Sequence, residues 1–345
     1  MIFLINNSYT VWSSIFVLNY KSYESDYFIF EMIFDWTTIF LQFLIIFRTC
    51  YIISKHQVFH KNLTILLVFQ LLIWIETVFA KILLQPYWSG YRTVGNPLKI
   101  YQHYWTEDKN EMVPINNILD EWGLFLSSCF FIHYYASMLF FVLTVSIERA
   151  ISSYYLSDYE KKPRLHISII LIFLTFIFSC FVAYIFTINY FSFAAFNAII
   201  LFFGIISMSL YVFVWAYNRR IGHTNYSLSR RFQCFENLKS LQKAKRVVTT
   251  YAILTFVVNT SFCVVYISIN NGVWKFFIYF IDTLTNLIPV IICPVTLFSI
   301  DTWKHAAFRF FYNRRRTPKV REENIVDDHK KHTELYFEHL TKSWI

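Results

Sequence analysis

Isolated ionisable side chains within apolar stretches are the residues of this sequence most able to do chemistry. Glu76 and Lys81 lie five residues apart in one such stretch, and Asp282 and His133 each stand in another. A charge within hydrocarbon is costly, so each of the four is a candidate for binding a polar ligand. The alternative for each is structural, because Glu76 and Lys81 can neutralise each other and the histidine can be a hydrogen-bonded core residue.

Glu148 and Arg149 form an acid–arginine pair that directly follows an uncharged run over residues 122–147. An ion pair at this place would hold one packing of the helices, and its release would expose a guanidinium to the carbonyl groups of a partner. An arginine that merely extends to the bilayer interface is the alternative. Pro289 is predicted to take part in the same switch, because a proline removes a backbone hydrogen bond and bends its helix.

The six cysteines give no sign of a metal or redox centre. None lies in a predicted outer loop, so an extracellular disulfide framework is not expected. No CxxC pair or Cys/His cluster has the spacing of a metal site. We therefore expect neither a metal nor a cofactor, and the lack of clustered His, Asp, Glu and Cys argues against a membrane enzyme.

The elements that position these residues are predicted to be membrane helices. Apolar residues make up 56% of the 345-residue chain and charged residues only 15%, against roughly 25% charged residues in soluble domains. Residues 165–218 contain no Asp, Glu, Lys or Arg; this run is long enough for two spans of ~20 residues, with a turn near Asn189 to Ser192. The fold class is all-α: a polytopic bundle of seven transmembrane helices near residues 28–53, 62–84, 122–147, 165–189, 192–217, 247–269 and 276–300.

Basic residues predict how this bundle is oriented. Of the 31 Lys and Arg residues, 25 fall on one side when the N-terminus is placed outside, and such residues stay cytoplasmic during insertion. The chain then consists of an extracellular tail over 1–27, the seven-helix domain over 28–300 and a cytoplasmic tail over 301–345. A re-entrant element is the alternative for the first 20 residues. The basic residues that give the net charge of +9 are concentrated on one side of the predicted membrane. The lipid bilayer is therefore the expected partner, and nucleic acid is not.

The connecting segments carry further signals. Asn6 begins an Asn-x-Ser sequon on the predicted outer face and is a candidate glycan acceptor. The outer loop near 85–120 is rich in proline and glycine, and a structured loop of this kind is a natural lid for a ligand site.

Leu238, Leu241 and Val248 fall at helical spacing, which predicts that the sixth helix extends into the cytoplasm. After Ile300, apolar and basic residues alternate, which favours a short amphipathic helix on the inner leaflet or against a cytoplasmic partner.

Ten short segments along nearly the whole chain carry a resemblance. They are Trp74–Lys81, Pro86-Tyr87, Tyr101–Met112, His133-Tyr134, Glu148-Arg149, Asp158–Lys162, Ser227–Gln233, Glu236–Leu238, Ile292–Pro294 and Asp301–Lys304. In these segments the chain resembles the nematode serpentine receptors of class epsilon, which are seven-helix chemoreceptors. The combination is specific, whereas the Glu-Arg dipeptide alone would not be.

This resemblance implies a G-protein-coupled receptor in the plasma membrane of a sensory neuron or its cilium, with a small external ligand and a heterotrimeric G protein as partners. Glu148 and Arg149 are similar to the acid–arginine pair that closes helix three of rhodopsin-like receptors, and the coupling role is carried over to these two residues only. The chain departs from its relatives at Ile288, where many have Asn. It also lacks the cysteine pair that joins helix three to an outer loop in rhodopsin-like receptors.

The same residues also bear on other functions that a seven-helix protein could have. An opsin would need a lysine in helix seven between Phe276 and Ile300, and an amine receptor would need an acid in helix three before Glu148; the sequence has neither. A ligand-gated channel or transporter of an unrelated seven-helix type is the alternative function. A channel of the inverted type would place the N-terminus inside, and the repeats typical of transporters are not visible.

Overall fold

The structure is a computed structural model that describes residues 1–13, 15, 18–19, 28–101, 105–155, 164–190, 192–222, 228–267 and 271–312. The chain divides into two compact units, Met1–Trp303 and Lys304–Ile345. Asp158–Lys162 and Ser227, which carry part of the resemblance, lie outside the described residues.

Helices make up most of the described chain. They are α1 (Phe28–Lys55), α2 (Lys61–Ile73), α3 (Ile75–Trp88), α4 (Trp122–Tyr154), α5 (Leu165–Thr187), α6 (Phe193–Gly222), α7 (Leu228–Ile267), α8 (Asn271–Phe298) and α9 (Asp301–Tyr312). Among the described residues, seven spans are long and apolar enough to cross a membrane, because α2 and α3 together form one span over Lys61–Trp88. The predicted seven-helix membrane bundle is therefore confirmed, and the chain is a multi-pass membrane protein.

The helix α4 lies at the centre of the bundle. It is buried along most of its length and packs against α2, α3, α5, α6 and α7. By contrast, α5 and α6 present large apolar side chains such as Phe173, Phe202 and Phe213 outward. Outward-facing apolar surface of this extent is typical of helices in contact with lipid. The side chains of α4 can therefore meet residues from five other helices, which makes this helix the frame of the sites described below.

Two strands precede the first helix, where the sequence predicted an extracellular tail or, alternatively, a re-entrant element, and they form a small β-sheet with a third strand between α3 and α4. Strands β1 (Ile2–Ile5) and β2 (Tyr9–Trp12) pair antiparallel, and β3 (Val113–Ile115) pairs parallel to β1 on its other edge. Asn6 and Asn7 turn the hairpin with φ of 49° and 56°, a left-handed conformation that asparagine tolerates better than most residues. The polar run at Asn6 to Ser8 is thus a turn between two apolar strands. The sequence analysis did not find either strand.

The sheet packs onto the ends of the helices. Phe3 and Ile5 belong to a buried cluster with Leu84 of α3 and with Leu124 and Phe125 of α4. The Phe3 and Phe125 rings meet edge to face with centroids 5.4 Å apart. Burial of these side chains stabilises the sheet, because a three-stranded sheet gains its stability from an apolar face packed against another element.

The long loop between α3 and α4 is held by one asparagine near the N-terminus. The side-chain amide of Asn19 donates to the carbonyls of Val94, Asn96 and Lys99 at 2.8, 3.0 and 3.1 Å. Its oxygen accepts from the Val94 amide at 2.9 Å. Gly95, with φ of 69°, supplies the left-handed turn within this segment. The loop that the prolines and glycines marked as turn-rich is therefore ordered by side-chain hydrogen bonds.

The structure contains the helices that the sequence predicted at the third inner loop and after Ile300. The helix α7 begins at Leu228, well before its membrane-spanning part, and Leu238, Leu241 and Val248 are all buried. The predicted turn after the fourth span follows α5, where Asn189 has φ of 54°. A helix follows Ile300 as expected: Trp303 at the start of α9 is 1% exposed and donates from Nε1 to the His56 carbonyl at 2.7 Å.

Candidate functional site

A cavity of about 530 Å³ lies between α4, α5, α6, α7 and α8. Its wall is mainly apolar, and eight of its lining residues are phenylalanines: Phe131, Phe140, Phe178, Phe181, Phe186, Phe196, Phe203 and Phe262. Trp12 of β2 also borders it, with the indole ring 6.3 Å from the ring of Phe186. Its volume falls within the roughly 300–1,000 Å³ of small-molecule sites. The cavity therefore has the size and the lining of a binding site for a small apolar molecule.

A few polar side chains interrupt this apolar wall. Asp282 and Thr285 come from α8, Thr255 and Asn259 come from α7, and Tyr135 comes from α4. The hydroxyls of Tyr135 and Thr285 hydrogen-bond to each other. Apolar walls fix the size and shape of a ligand, whereas a small number of placed polar groups fix its orientation. The polar groups of this cavity lie on α4, α7 and α8, which face one another across it.

Lys81 does not neutralise Glu76, contrary to one interpretation of the sequence. Its Nζ instead donates to the Asp282 carboxylate oxygens at 2.7 and 2.9 Å. The spacing of five residues explains the error. At about 100° per residue, two side chains five positions apart diverge by about 140° around the helix. Lys81 therefore turns toward α8 while Glu76 turns toward α4.

Glu76 pairs with His133, which lies across the interface on α4. The Oε2 atom of Glu76 is 2.6 Å from Nδ1 of His133. The imidazole ring also meets Phe176 of α5 edge to face, with centroids 5.1 Å apart. Glu76 and His133 therefore each have a structural partner, which is the alternative to a ligand-binding role for these two residues. Among the four predicted ligand residues, Asp282 borders the cavity, whereas Glu76, Lys81 and His133 stand outside its lining.

The Glu148-Arg149 pair is fully buried at the other end of α4. Arg149 donates from Nε to Glu148 Oε2 at 2.5 Å and from Nη2 to Glu148 Oε1 at 2.8 Å. The two side chains are 4% and 0% exposed. The snorkelling alternative, in which the arginine extends to the interface, does not match this burial. A bidentate pair of this kind is among the stronger hydrogen-bonded contacts in proteins.

Polar residues of three helices surround this pair. Arg149 donates from Nη1 to Asn237 of α7 at 3.3 Å, and Ser152 donates to the same Asn237 oxygen at 2.8 Å. Asn218 of α6 donates to the Ser153 hydroxyl at 2.7 Å. The pair thus belongs to a network that joins α4, α6 and α7, and release of the Arg149 side chain must break its hydrogen bond to Asn237 of α7.

The loop between α1 and α2 also reaches this network. His60 caps α2 by accepting at Nδ1 from the Asn62 amide at 3.4 Å. Burial lowers the pKa of His60 below its usual 6.5; the nearby positive charge of Arg149 lowers this pKa further, and the negative charge of Glu148 opposes the shift. The loop histidine is therefore electrostatically coupled to the arginine of the α4 pair.

Two other predicted residues have clear local environments. The side chain of Asn6 is exposed at the hairpin turn between β1 and β2, and its backbone amide donates to the Ile115 carbonyl at 2.9 Å. Pro289 lies inside α8. The carbonyl of Asn286, one turn earlier, accepts a hydrogen bond from the side chain of Gln42 on α1. Gln42 was not predicted from the sequence.

Several residues of these sites were missed by the sequence analysis. Asn218 and Asn259 stand in or beside an apolar stretch, where a buried amide needs a partner, whereas Asn237 lies in a charged segment. That signal was present in the sequence but was applied only to charged groups. Trp12 carried no usable signal, because its part in the cavity depends on how the N-terminal sheet packs.

Comparisons with known proteins agree along the entire chain. The family described as "Sre G protein-coupled chemoreceptor" matches residues 1–345. Serpentine receptor class epsilon-45 of Caenorhabditis elegans is 29% identical, with all of both chains covered. Serpentine receptor class epsilon-37 of the same organism is 30% identical over all of this chain and 99% of the relative. Serpentine receptor class epsilon-38 is 26% identical over 97% of both chains.

Proposed function

The chain belongs to the Sre family of G protein-coupled chemoreceptors, and on that premise we propose that it binds a small external molecule in the aromatic cavity and signals to a heterotrimeric G protein. The observation that carries this proposal is that α4 serves both sites. Leu143 of α4 borders the cavity, and Glu148 follows five residues later, about 8 Å along the helix. A shift of α4 on ligand binding is thereby transmitted to the Glu148-Arg149 pair.

The coupling we propose is a population shift between two packings. In the packing seen here, Arg149 is held by Glu148 and Asn237. A ligand that binds a second packing more tightly raises its population by its difference in affinity for the two states. Release of Arg149 in that second packing would present its guanidinium to backbone carbonyls of the G protein. Pro289 would let α8 bend as the helices repack.

The proposed orientation places the β-sheet and the α3–α4 loop outside the cell and the Glu148-Arg149 network inside. The excess of Lys and Arg at the network end supports this orientation. We further propose that the receptor resides in the plasma membrane of a sensory neuron or its cilium, and that Asn6 carries a glycan. The exposure of Asn6 at a turn is compatible with glycan transfer.

A cysteine-labelling experiment tests the orientation. Leu98, which is 91% exposed in the α3–α4 loop, and Tyr154, which is 80% exposed at the far end of α4, are replaced singly by Cys. We expect a membrane-impermeant maleimide to label Leu98→Cys on intact cells, and Tyr154→Cys only after permeabilisation. The unmodified receptor provides the background from its own cysteines. The reverse pattern would refute the receptor topology and favour an inverted seven-helix channel.

A cell-based reporter tests the signalling function. The receptor is expressed with a promiscuous G protein and exposed to panels of volatile and water-soluble compounds. Replacing Arg149 with Ala is expected to abolish any response while surface expression persists. Arg164→Ala is the matched control, because Arg164 is also a base close to the end of α4 and stacks on Tyr155 at 3.9 Å. A normal response from Arg149→Ala would remove this residue from the coupling role.

A further inference from the structure

One polar atom of the aromatic cavity lacks a partner within the described part of the protein. Asn259 of α7 borders the cavity and is 3% exposed. Its side-chain oxygen makes no hydrogen bond to any described residue. Leaving a buried acceptor unsatisfied is unfavourable, and native proteins seldom do so without a reason. The cavity therefore offers a hydrogen-bond acceptor to a donor that comes from outside the protein.

The charge at the cavity wall is already compensated. Asp282 is the only acid or base among the described lining residues, and Lys81 holds both of its oxygens within 2.9 Å. A cationic ligand would have to compete with Lys81 for that carboxylate. An anionic ligand would have to approach the same carboxylate without a compensating base. The electrostatics of the wall therefore favour a neutral ligand.

Two other polar groups of the cavity wall already have hydrogen-bond partners, which leaves fewer groups to bind a ligand. Tyr135 and Thr285 satisfy each other, and Thr285 also donates to the Ile281 carbonyl at 2.7 Å. Asn259 is therefore the buried group best placed to gain a new partner. Around it, the wall consists of phenylalanine rings and aliphatic side chains, which complement an apolar molecular body.

We propose that the cavity takes a neutral, mainly aromatic or aliphatic molecule with one hydrogen-bond donor, such as an alcohol or a phenol, and that this donor binds the Asn259 side-chain oxygen. This inference rests on the proposed receptor function and specifies the chemical class of its ligand. Asn259 would then select the alcohol over the matching ketone or hydrocarbon, because only the alcohol satisfies the buried acceptor.

Four probes built on one naphthalene skeleton test the proposal: a secondary carbinol, its methyl ketone, the ethyl hydrocarbon and the protonated primary amine. Saturable binding of the tritiated carbinol is measured on purified full-length receptor in nanodiscs, with the other three as competitors. We expect the ketone, the hydrocarbon and the ammonium each to bind at least about ten-fold more weakly than the carbinol. A ketone or ammonium that competes as well as the carbinol, or no saturable carbinol binding up to millimolar concentration, would overturn the proposal.

Two variants assign the preference to the asparagine. Asn259→Leu keeps the branched heavy-atom skeleton of the side chain and removes the acceptor, so it is expected to weaken carbinol binding about ten-fold and to leave hydrocarbon binding unchanged. Ser261→Ala removes a hydroxyl from α7 outside the cavity lining and is expected to preserve the order of the four probes. The melting temperature of Asn259→Leu is measured alongside to establish that the variant is folded. An unchanged carbinol preference in Asn259→Leu would refute the role of this residue.

The binding assay contains no G protein, so it fails independently of the signalling proposal. A receptor that shows the carbinol preference but no reporter response contradicts the coupling and supports the ligand class. A receptor that responds in the reporter assay to the ammonium probe alone supports the coupling and contradicts the ligand class.

Discussion

Single residues of this protein act through partners on other helices. Lys81 reaches Asp282 across the α3–α8 interface, and Glu76 reaches His133 across the α3–α4 interface. In each case a charge that would be costly alone is compensated by a group distant in sequence. Asn259 differs, because its oxygen lacks such a partner among the described residues. A residue of that kind is where a binding function is best sought.

The lowered pKa of His60 predicts how the stability of the receptor depends on pH. Its pKa is lowered in the folded state, chiefly by burial, so the unfolded chain binds the proton more readily near pH 6.5. The free energy of unfolding should therefore fall as the pH drops from about 7.5 to below 6.5. His60→Asn removes the titrating ring and retains an acceptor for the α2 N-terminus.

Thermal melting of purified receptor at several pH values measures this effect. We expect the melting temperature of His60→Asn to fall less steeply with acidification than that of the original protein. Equal slopes for His60→Asn and the original receptor would contradict the prediction.

At the scale of elements, pairs of charges and hydrogen bonds connect the helices. The Lys81–Asp282 bridge joins α3 to α8, and the side chain of Gln42 joins α1 to the α8 backbone before Pro289. The N-terminal sheet covers the ends of α3 and α4 through Phe3 and its neighbours. These contacts determine which helix faces meet, since apolar packing alone directs helices in lipid only weakly.

The Lys81–Asp282 bridge leads to a prediction about its two partners. Either Lys81→Met or Asp282→Asn alone leaves its partner without this pairing, and removing one member of a buried pair costs about 3–5 kcal/mol. The double variant leaves neither charge, so it should lose much less stability than the sum of the single variants. Melting temperatures of all four forms complete the cycle. Additive losses would show that the two residues do not interact energetically.

For the whole molecule, the main feature is that the central helix α4 joins the cavity to the Glu148-Arg149 network. The cavity is enclosed by five helices and bordered by Trp12 of the N-terminal sheet. The network joins α4 to α6 and α7, and both of those helices also line the cavity. A change in the relative positions of these three helices therefore affects both places at once.

Weakening the buried pair should change the basal activity of the receptor. Glu148→Gln removes the carboxylate charge that holds Arg149, so it shifts the population toward the packing in which Arg149 is released. We expect several-fold higher ligand-independent signalling per receptor at the cell surface. Ser152→Ala, which loses a hydrogen bond to Asn237 but retains the ion pair, should raise it much less. Basal signalling unchanged in Glu148→Gln would contradict this account of the switch.

Much of the fold could be predicted because a bilayer restricts the options. A run of 54 uncharged residues over 165–218 has to form two helices with a turn, and the turn is found at Asn189. The position of Glu148-Arg149 was likewise visible as the boundary of an apolar run, although α4 itself continues to Tyr154. The N-terminal hairpin was missed, because its strands are too short to be told from an apolar tail and one of them is completed by Val113–Ile115, far along the chain.

The sequence by itself determined that this is a membrane protein with seven apolar spans, because the length and polarity of each span can be read from its own residues. It also placed the acid–arginine pair directly after the apolar run of the third span and supplied the residues that resemble the receptor family. Only the tertiary structure decided which charges pair across helices, that Trp12 borders the cavity, and that the Asn259 oxygen beside it lacks a partner among the described residues. Those facts depend on the rotation of each helix about its axis, which is set by contacts between residues far apart in the chain.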